Sequence, residues 1–477
     1  MGAFISFSAV LLLYGVIAEL AVRRGRRTEQ DYLTGGRASG RLLVALSAGA
    51  ASASGFVMLG AVGSGYTMGI AAVLIPVAWF FGDLAFWSLF PARIHRLSTQ
   101  SGCNTVPALL AVAAADRSRL PVRSLAALCI VVFVGLYASA QLLAAGKTMN
   151  ALFPIPLSWG IAASAVIVVA YCARGGLRAS IWTNAMQAVV MLLTTTGMLG
   201  AIVVHCGGVT EAFEALSSLH PQLLDPLHVS GTWPLLIVFL AGFTAAAVGF
   251  DLSTPQLLVR IMAGRSSHEA ASAKWYYLAF MQITWASMAL FGLLARLALP
   301  EMGDPEQALP VFAAAELSPW ITGLVLAGMF SAIASTLEGQ MLVISSSLAV
   351  DIAPALHDRL LAALGERVDV IVTFLVGGLL AAVTLSQSAT VFDLIVFAAN
   401  ALSSAFAPMM LVVLYGLRTS PAALKAAMCA GILVAVSWRA AGWHGALLEA
   451  LPGIVAGLFA HAAVVRSSAP ERRARTS

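Results

Sequence analysis

A helix needs roughly 20 consecutive apolar residues to cross a bilayer, and this chain offers thirteen stretches of about that length. They fall at 3–22, 42–68, 71–92, 122–146, 155–172, 181–204, 232–262, 273–297, 318–350, 369–386, 389–416, 421–440 and 444–465. Backbone polar groups in lipid must be satisfied inside the structure, and segments of this length do so as helices. With 60% hydrophobic residues, 10% charged residues and a mean hydropathy of +0.90, a soluble globular fold is excluded. The sequence predicts an all-α polytopic membrane protein in which 1–477 form one transmembrane domain.

Charge sets the expected orientation. The first span is followed by Arg23, Arg24, Arg26 and Arg27, which marks an anchor rather than a cleaved signal peptide. If that cluster is cytoplasmic, the N-terminus lies outside and the C-terminus inside. Of the 27 Lys and Arg residues, 24 then face the cytoplasm, and only Lys147, Arg296 and Arg439 fall outside, as the positive-inside rule requires. The net charge of +5 follows from these loops and gives no reason to expect nucleic acid. Cys103, Cys129, Cys172, Cys206 and Cys429 have no paired spacing, so neither a disulfide framework nor a metal cluster is expected.

Two spans look interrupted. In the second, Ser47 to Phe56 hold no charge, two glycines and three serines. Such a stretch either unwinds to line a cavity or is a small-residue stripe for close helix packing. The seventh span contains Gly249, Asp251, Ser253, Thr254 and Pro255. Thr254 as N-cap and Pro255 at the first helical position would restart a helix there. The breaks stand five spans apart, the spacing of an inverted repeat of five helices each, with a binding site where the breaks meet.

Other polar residues within spans need partners. Tyr137 and Gln141 share one helix face and either bond neighbouring helices or line the cavity. Asp83 is expected to bond to a neighbouring helix. In the ninth span, the adjacent hydroxyls of Ser335 and Thr336 suit a small alkali cation or bond back to carbonyls one turn earlier. The polar stretch 93–123 holds an apolar core, Val106 to Ala114, that reads as a short interfacial helix. The glycine-rich connection Asp31 to Gly40 lacks the Lys-Ser/Thr that a phosphate cradle needs.

In this order the motifs resemble the sodium:solute symporters, most closely their sodium/proline branch, from Asp31 to about Gly416. They are Asp31-Tyr32 with Gly35-Gly36-Arg37, Leu46 to Ala50 with Ser54-Gly55, Gly175-Gly176 with Trp182-Thr183 and Gln187, Ser335-Thr336-Leu337, and Phe392-Asp393-Leu394. The resemblance implies a leucine-transporter-type five-plus-five inverted repeat with about thirteen transmembrane helices. On that layout 1–40 hold the first helix and a cytoplasmic loop, 41–204 and 232–416 the two repeats, 417–466 two further helices, and 467–477 a tail.

By the same resemblance, sodium (Na+) is the coupling ion, held by the carbonyls of Ala50, Ala53 and Ala332 and the hydroxyls of Ser335 and Thr336. The solute positions of the proline branch correspond to Phe56, Tyr137, Ala247, Asp251 and Pro255; the breaks and their neighbours add Ser52, Ser54, Gly55 and Gln141. Ser52 stands where that branch carries an aspartate, Asn184 replaces another carboxylate, and Ala247 and Asp251 replace two aromatics, so a solute other than proline is open. Loss of the carboxylate at Ser52 suggests one sodium per solute. Asp251 either meets a cationic group on the solute, caps the restarted helix or is protonated, and Glu338 is a second candidate for the same part.

The expected activity is sodium-driven import of a small organic solute, an amino acid or related amine or carboxylate, by alternating access across the plasma membrane. The alternative is a sensory domain of the same fold that binds solute without transport. No nucleophile–base set points to an enzyme, and no obligatory protein partner is inferred beyond the lipid bilayer.

Overall fold

A computed structural model describes residues 1–24, 35–117, 121–153, 155–172, 176–364, 367–386 and 390–468. Asp31, Tyr32, Gly175 and the tail after residue 468 lie outside the described residues. The helices in chain order are α1 (Gly2–Arg23), α2 (Arg41–Met68), α3 (Ile70–Leu89), α4 (Pro91–Ser101), α5 (Val106–Ala113), α6 (Val122–Ala151), α7 (Leu157–Cys172), α8 (Gly176–His205) and α9 (Val209–Leu219). They continue as α10 (Trp233–Ser253), α11 (Pro255–Met262), α12 (Ser267–Ala298), α13 (Ala308–Glu316), α14 (Pro319–Ile352), α15 (Pro354–Leu364), α16 (Arg367–Leu385), α17 (Val391–Leu414), α18 (Pro421–Ala440) and α19 (Ala450–Ser467).

Eleven described helices are long and apolar enough to cross a membrane, and Leu157–Val168 and Ile371–Leu385 are shorter apolar helices. Together they occupy the positions of the thirteen sequence spans. The polar stretch 93–123 forms α4 and α5, and α5 covers all but the last residue of the apolar core expected there. Helix α9, in the loop after the sixth span, was not anticipated.

Helices α2, α14 and α17 fill the centre of the bundle, while α1 and α19 keep most of their surface exposed. The helices approach closely where side chains are missing, because packing of backbone on backbone drives association in lipid. A Cβ added at Gly65 of α2 would collide with the Ala289 carbonyl of α12, and one at Gly292 of α12 with the Val62 carbonyl. The same device seats α3 on α10, where Gly82 lies directly on Ala247 and Thr244 Oγ1 donates to the Ala78 carbonyl at 2.9 Å.

Each end of the bundle carries a polar fastening. At the end predicted to be cytoplasmic, Arg37 (φ 51°) donates to Ser98 Oγ at 2.8 Å, Met262 O at 3.0 Å and Cys103 O at 3.3 Å. Beside it Ser39 exchanges backbone hydrogen bonds with Ala263 and Arg265. At the other end Lys147 of α6 pairs with Glu306 at 2.5 Å and Asp304 at 2.9 Å. Glu306 also accepts from the Val391 and Phe392 amides at 3.2 and 2.9 Å, which places a carboxylate on the positive end of the α17 dipole.

Candidate functional site

The break in α2 is narrower than the ten-residue stretch suggested. The helix runs unbroken to Ala53, and the departure is at Ser54, with φ 56° and ψ −178°. A wide π-type turn follows over Phe56–Gly60. A left-handed φ on a non-glycine residue is costly, and three contacts hold it. Ser54 Oγ accepts from the Phe56 amide at 3.0 Å and from the Tyr137 hydroxyl at 3.2 Å, and the Gly55 amide donates to Gln141 Oε1 at 2.7 Å. Gly55 has no room for a side chain, since a Cβ would lie 2.8 Å from that of Ala144. Close packing is present as well as a break: Gly49, one turn earlier, accommodates the ring of Phe280.

On one side of the break stand the oxygens expected to bind sodium. Ser335 Oγ lies 2.8 Å from Ala50 O and 3.0 Å from Ala332 O. Thr336 Oγ1 lies 3.0 Å from Ala51 O, 3.2 Å from Ala332 O and 3.4 Å from Ala50 O. The hydroxyls therefore both bond back within α14 and reach across to α2. Ala50, Ala53, Ala332, Ser335 and Thr336 are all fully buried. The Ala53 carbonyl, one turn on, accepts from the Phe56 amide, and Ala51 is a carbonyl that the sequence reading did not include. Hard, neutral oxygens gathered from two helices and shielded from water fit an alkali cation.

On the other side of the break is a small cavity of about 40 Å³, well below the volume of an open small-molecule site. Its wall is a chain of aromatic rings. Phe56 meets Trp285 at 5.0 Å, Trp285 meets Trp79 at 5.3 Å, Trp79 meets Phe250 at 5.7 Å and Phe250 meets Tyr137 at 6.3 Å between centroids. Ser52 and Asn400 supply polar edges. Of the predicted solute residues, Ser52, Phe56 and Tyr137 line this cavity, whereas Ser54, Gly55 and Gln141 build the break beside it. Trp79, Phe250 and Trp285 were missed, because an aromatic within an apolar span carries no signal that separates cavity wall from core or lipid face.

The second break lies between α10 and α11 at Thr254 (φ −87°, ψ 98°). Thr254 occupies the N-cap position, but its side chain makes no capping bond and its hydroxyl is buried without a partner. Asp251 does not cap α11 either and does not line the aromatic cavity. Its carboxyl faces that of Asp83 on α3, and neither makes a hydrogen bond of ordinary geometry, so the bond expected from Asp83 to a neighbouring helix is not formed. Ala247 packs on Gly82, also away from the cavity. Pro255 lines a separate opening with Val259, Arg260 and Gly339.

Arg260, at the end of the seventh span, was counted with the cytoplasmic charges but lies inside the bundle. Its guanidinium is fully buried and donates to Gln256 O at 2.5 Å and Ser180 Oγ at 2.9 Å, with Glu338 as the nearby opposite charge. Asn184, with its amide oxygen turned to accept from Arg260 at 2.6 Å, donates to Glu338 at 3.2 Å. Glu338 therefore faces α8 and α11 rather than the cavity.

Two interrupted helices in the middle of a bundle, with oxygens that fit a cation on one side of a break and an aromatic-lined cavity on the other, define a secondary transporter of the leucine-transporter type. Its overall fold matches a Na+-coupled sialic acid symporter solved in its substrate-bound outward-open state, with a TM-score of 0.75 and 17% identity over 97% of this chain and 96% of that one. It also matches MhsT in complex with L-phenylalanine, with a TM-score of 0.54 and 15% identity over 89% of this chain and 99% of that one. The chain belongs to the sodium:solute symporter family, whose model matches residues 32–433. It is 28% identical to the sodium/proline symporter of Escherichia coli K12 over 94% of this chain and 89% of that relative. To the osmoregulated proline transporter OpuE of Bacillus subtilis 168 it is 26% identical over 94% and 91% of the two chains. It is accordingly a multi-pass plasma-membrane transporter that imports solute with sodium, not an enzyme.

Proposed function

We propose that the solute is a small amino acid, or a related amine or carboxylate with a compact apolar body, held in the aromatic cavity by Ser52, Phe56 and Tyr137. The observation that supports this most is that the cavity and the cation donors share one break. Ser52, which lines the cavity, is flanked by Ala50 and Ala53, so sodium at Ala50, Ala53, Ala332, Ser335 and Thr336 fixes the segment of α2 that meets the solute. Ser54, Gly55 and Gln141 shape that segment without touching the solute. The cavity has no cationic or anionic wall, which favours a solute whose charges are met by backbone at the break and by Asn400, over one that needs a counter-ion.

The two repeats, 41–204 and 232–416, rock about this site to expose it alternately to the two faces. Each sodium entering down a potential of 100 mV releases about 2.3 kcal/mol, enough for roughly a fifty-fold solute gradient. Uptake of labelled proline and other small apolar amino acids into proteoliposomes, with sodium or potassium outside, tests the reading. Sodium should stimulate uptake of at least one of them, and Ser335→Ala with Thr336→Ala should raise the sodium concentration needed by about tenfold or more, roughly 1.4 kcal/mol of lost binding. Unchanged sodium activation in the double variant would move the ion elsewhere, and solute-stabilised protein without uptake would favour a sensor.

A further inference from the structure

Four helices next to the cavity bring together a second group of oxygens that the sodium donors and the cavity do not use. Asp83 of α3 and Asp251 of α10 are both fully buried, and their carboxyls face one another. The Gly82–Ala247 contact sets this approach, one helical turn before Asp251 and one residue before Asp83. The hydroxyl of Tyr277, on α12, is turned to the Asp251 carboxyl and to Ser52 of α2, with the Asp83 carboxyl the next charge beyond. The four carboxylate oxygens, the Tyr277 hydroxyl and Ser52 Oγ are all buried, and none makes a hydrogen bond of ordinary geometry.

Nothing basic offsets these carboxyls. Among the described residues no Lys, Arg or His pairs with Asp83 or Asp251. The cations that reach into the bundle are held elsewhere: Arg260 by Gln256 O and Ser180 Oγ, Lys147 by Glu306 and Arg439 by Glu449 at 3.0 Å. The indoles of Trp79 and Trp87 flank the group but carry no charge. Two carboxylates facing each other in a dry interior cannot both stay ionised without a positive partner. A proton held between them neutralises one charge and leaves the hydroxyls of Tyr277 and Ser52 without a role.

We propose that Ser52, Asp83, Asp251 and Tyr277 form a second sodium site, separate from the one at Ala50, Ala332, Ser335 and Thr336. The donors are hard oxygens from four helices, the set an alkali cation prefers, and the two carboxylates supply the charge that a desolvated ion requires. The site also answers the departure noted at Ser52: the carboxylate missing from that position is present in duplicate on α3 and α10. Ser52 belongs both to this site and to the cavity wall, so filling either one orders the other. The expectation of one sodium per solute gives way to two. The inference rests on the proposed function only for the identity of the coupling ion.

Equilibrium binding of radioactive sodium to the full-length chain in nanodiscs tests it. The unmodified protein should bind two sodium ions, and each of Asp83→Asn and Asp251→Asn should bind one. Ser335→Ala with Thr336→Ala should also bind one, and adding Asp83→Asn to that double variant should abolish binding. If the Asp83 variant binds nothing while the Ser335/Thr336 variant is unaffected, this site stands and the first assignment falls. A single sodium in the unmodified protein that survives Asp83→Asn and Asp251→Asn overturns the proposal, leaving a carboxyl pair that only shares a proton. The unmodified count does not depend on any variant folding, and melting in potassium checks that the near-isosteric variants do.

Discussion

Both breaks are built from small and hydroxyl residues, and they differ in construction. At the first, Ser54 is met by Tyr137 and the Phe56 amide and the Gly55 amide by Gln141, while Ser52 Oγ and Gln141 Nε2 beside it are buried without a partner. At the second, Thr254 Oγ1, both oxygens of Asp251 and Gln256 Oε1 are buried and unmet. An unsatisfied buried polar group costs on the order of 1–3 kcal/mol, so the α10–α11 junction carries the larger burden. The first break is braced at the residue that departs from the helix. The second is completed only when something else, an ion or a rearranged neighbour, joins it.

The contrast is broken or sharpened by substitution. Gln141→Leu should have the largest effect, because it strands the Gly55 amide in the interior at a cost of about 1–3 kcal/mol, read as a lower melting temperature and faster hydrogen exchange at Gly55 and Phe56. Thr254→Val removes a buried hydroxyl that bonds to nothing and should leave stability unchanged or raise it, by up to about 1 kcal/mol. A clear loss would mean the second break is as fully braced as the first.

The smallest effect is expected at the outer anchor of α6, the helix that supplies both Tyr137 and Gln141. Burial alone would raise the pKa of Asp304, but the side chains of Lys147 and Gln307 outweigh it and hold the carboxyl below its usual value. A carboxylate whose folded pKa is depressed stabilises the fold above its unfolded pKa, and that contribution is lost as pH falls through the folded value. Between pH 5 and pH 3 the melting temperature should therefore fall slightly more for the parent than for Asp304→Asn. An equal fall in both would detach Asp304 from this anchor.

How much of this was legible in the sequence depended on the range of the interaction. Eleven of the thirteen expected spans match described helices of membrane length, because an apolar run of that length has few other outcomes. The breaks could be located from glycine, serine and proline, but Thr254 was given a capping bond that it does not make, since capping residues signal position and not the direction of a hydroxyl. The hydroxyls of Ser335 and Thr336 suited a cation on their chemistry alone, but only the family resemblance pointed to their partners, because Ala50 and Ala51, the carbonyls they reach, lie on a helix remote in sequence. Arg260 stands at the edge of a span, and its burial against Ser180 of α8 needs the folded bundle. Asp83 and Asp251 each stood out as charges in lipid-length segments, yet nothing local to either names the other as its neighbour.

The Arg37 clasp has a consequence for how the molecule opens. Its guanidinium is held by carbonyls and the Ser98 and Thr99 hydroxyls, and among the described residues no carboxylate pairs with it. Ionic strength weakens attraction between opposite charges, and here there is none to weaken. Opening this end instead exchanges neutral acceptors for water, a trade in which each bond is replaced in kind and the net cost stays small. The fastening can therefore be firm in geometry and shallow in energy, a hinge pin that hydration can draw, equally usable in dilute and in salty surroundings.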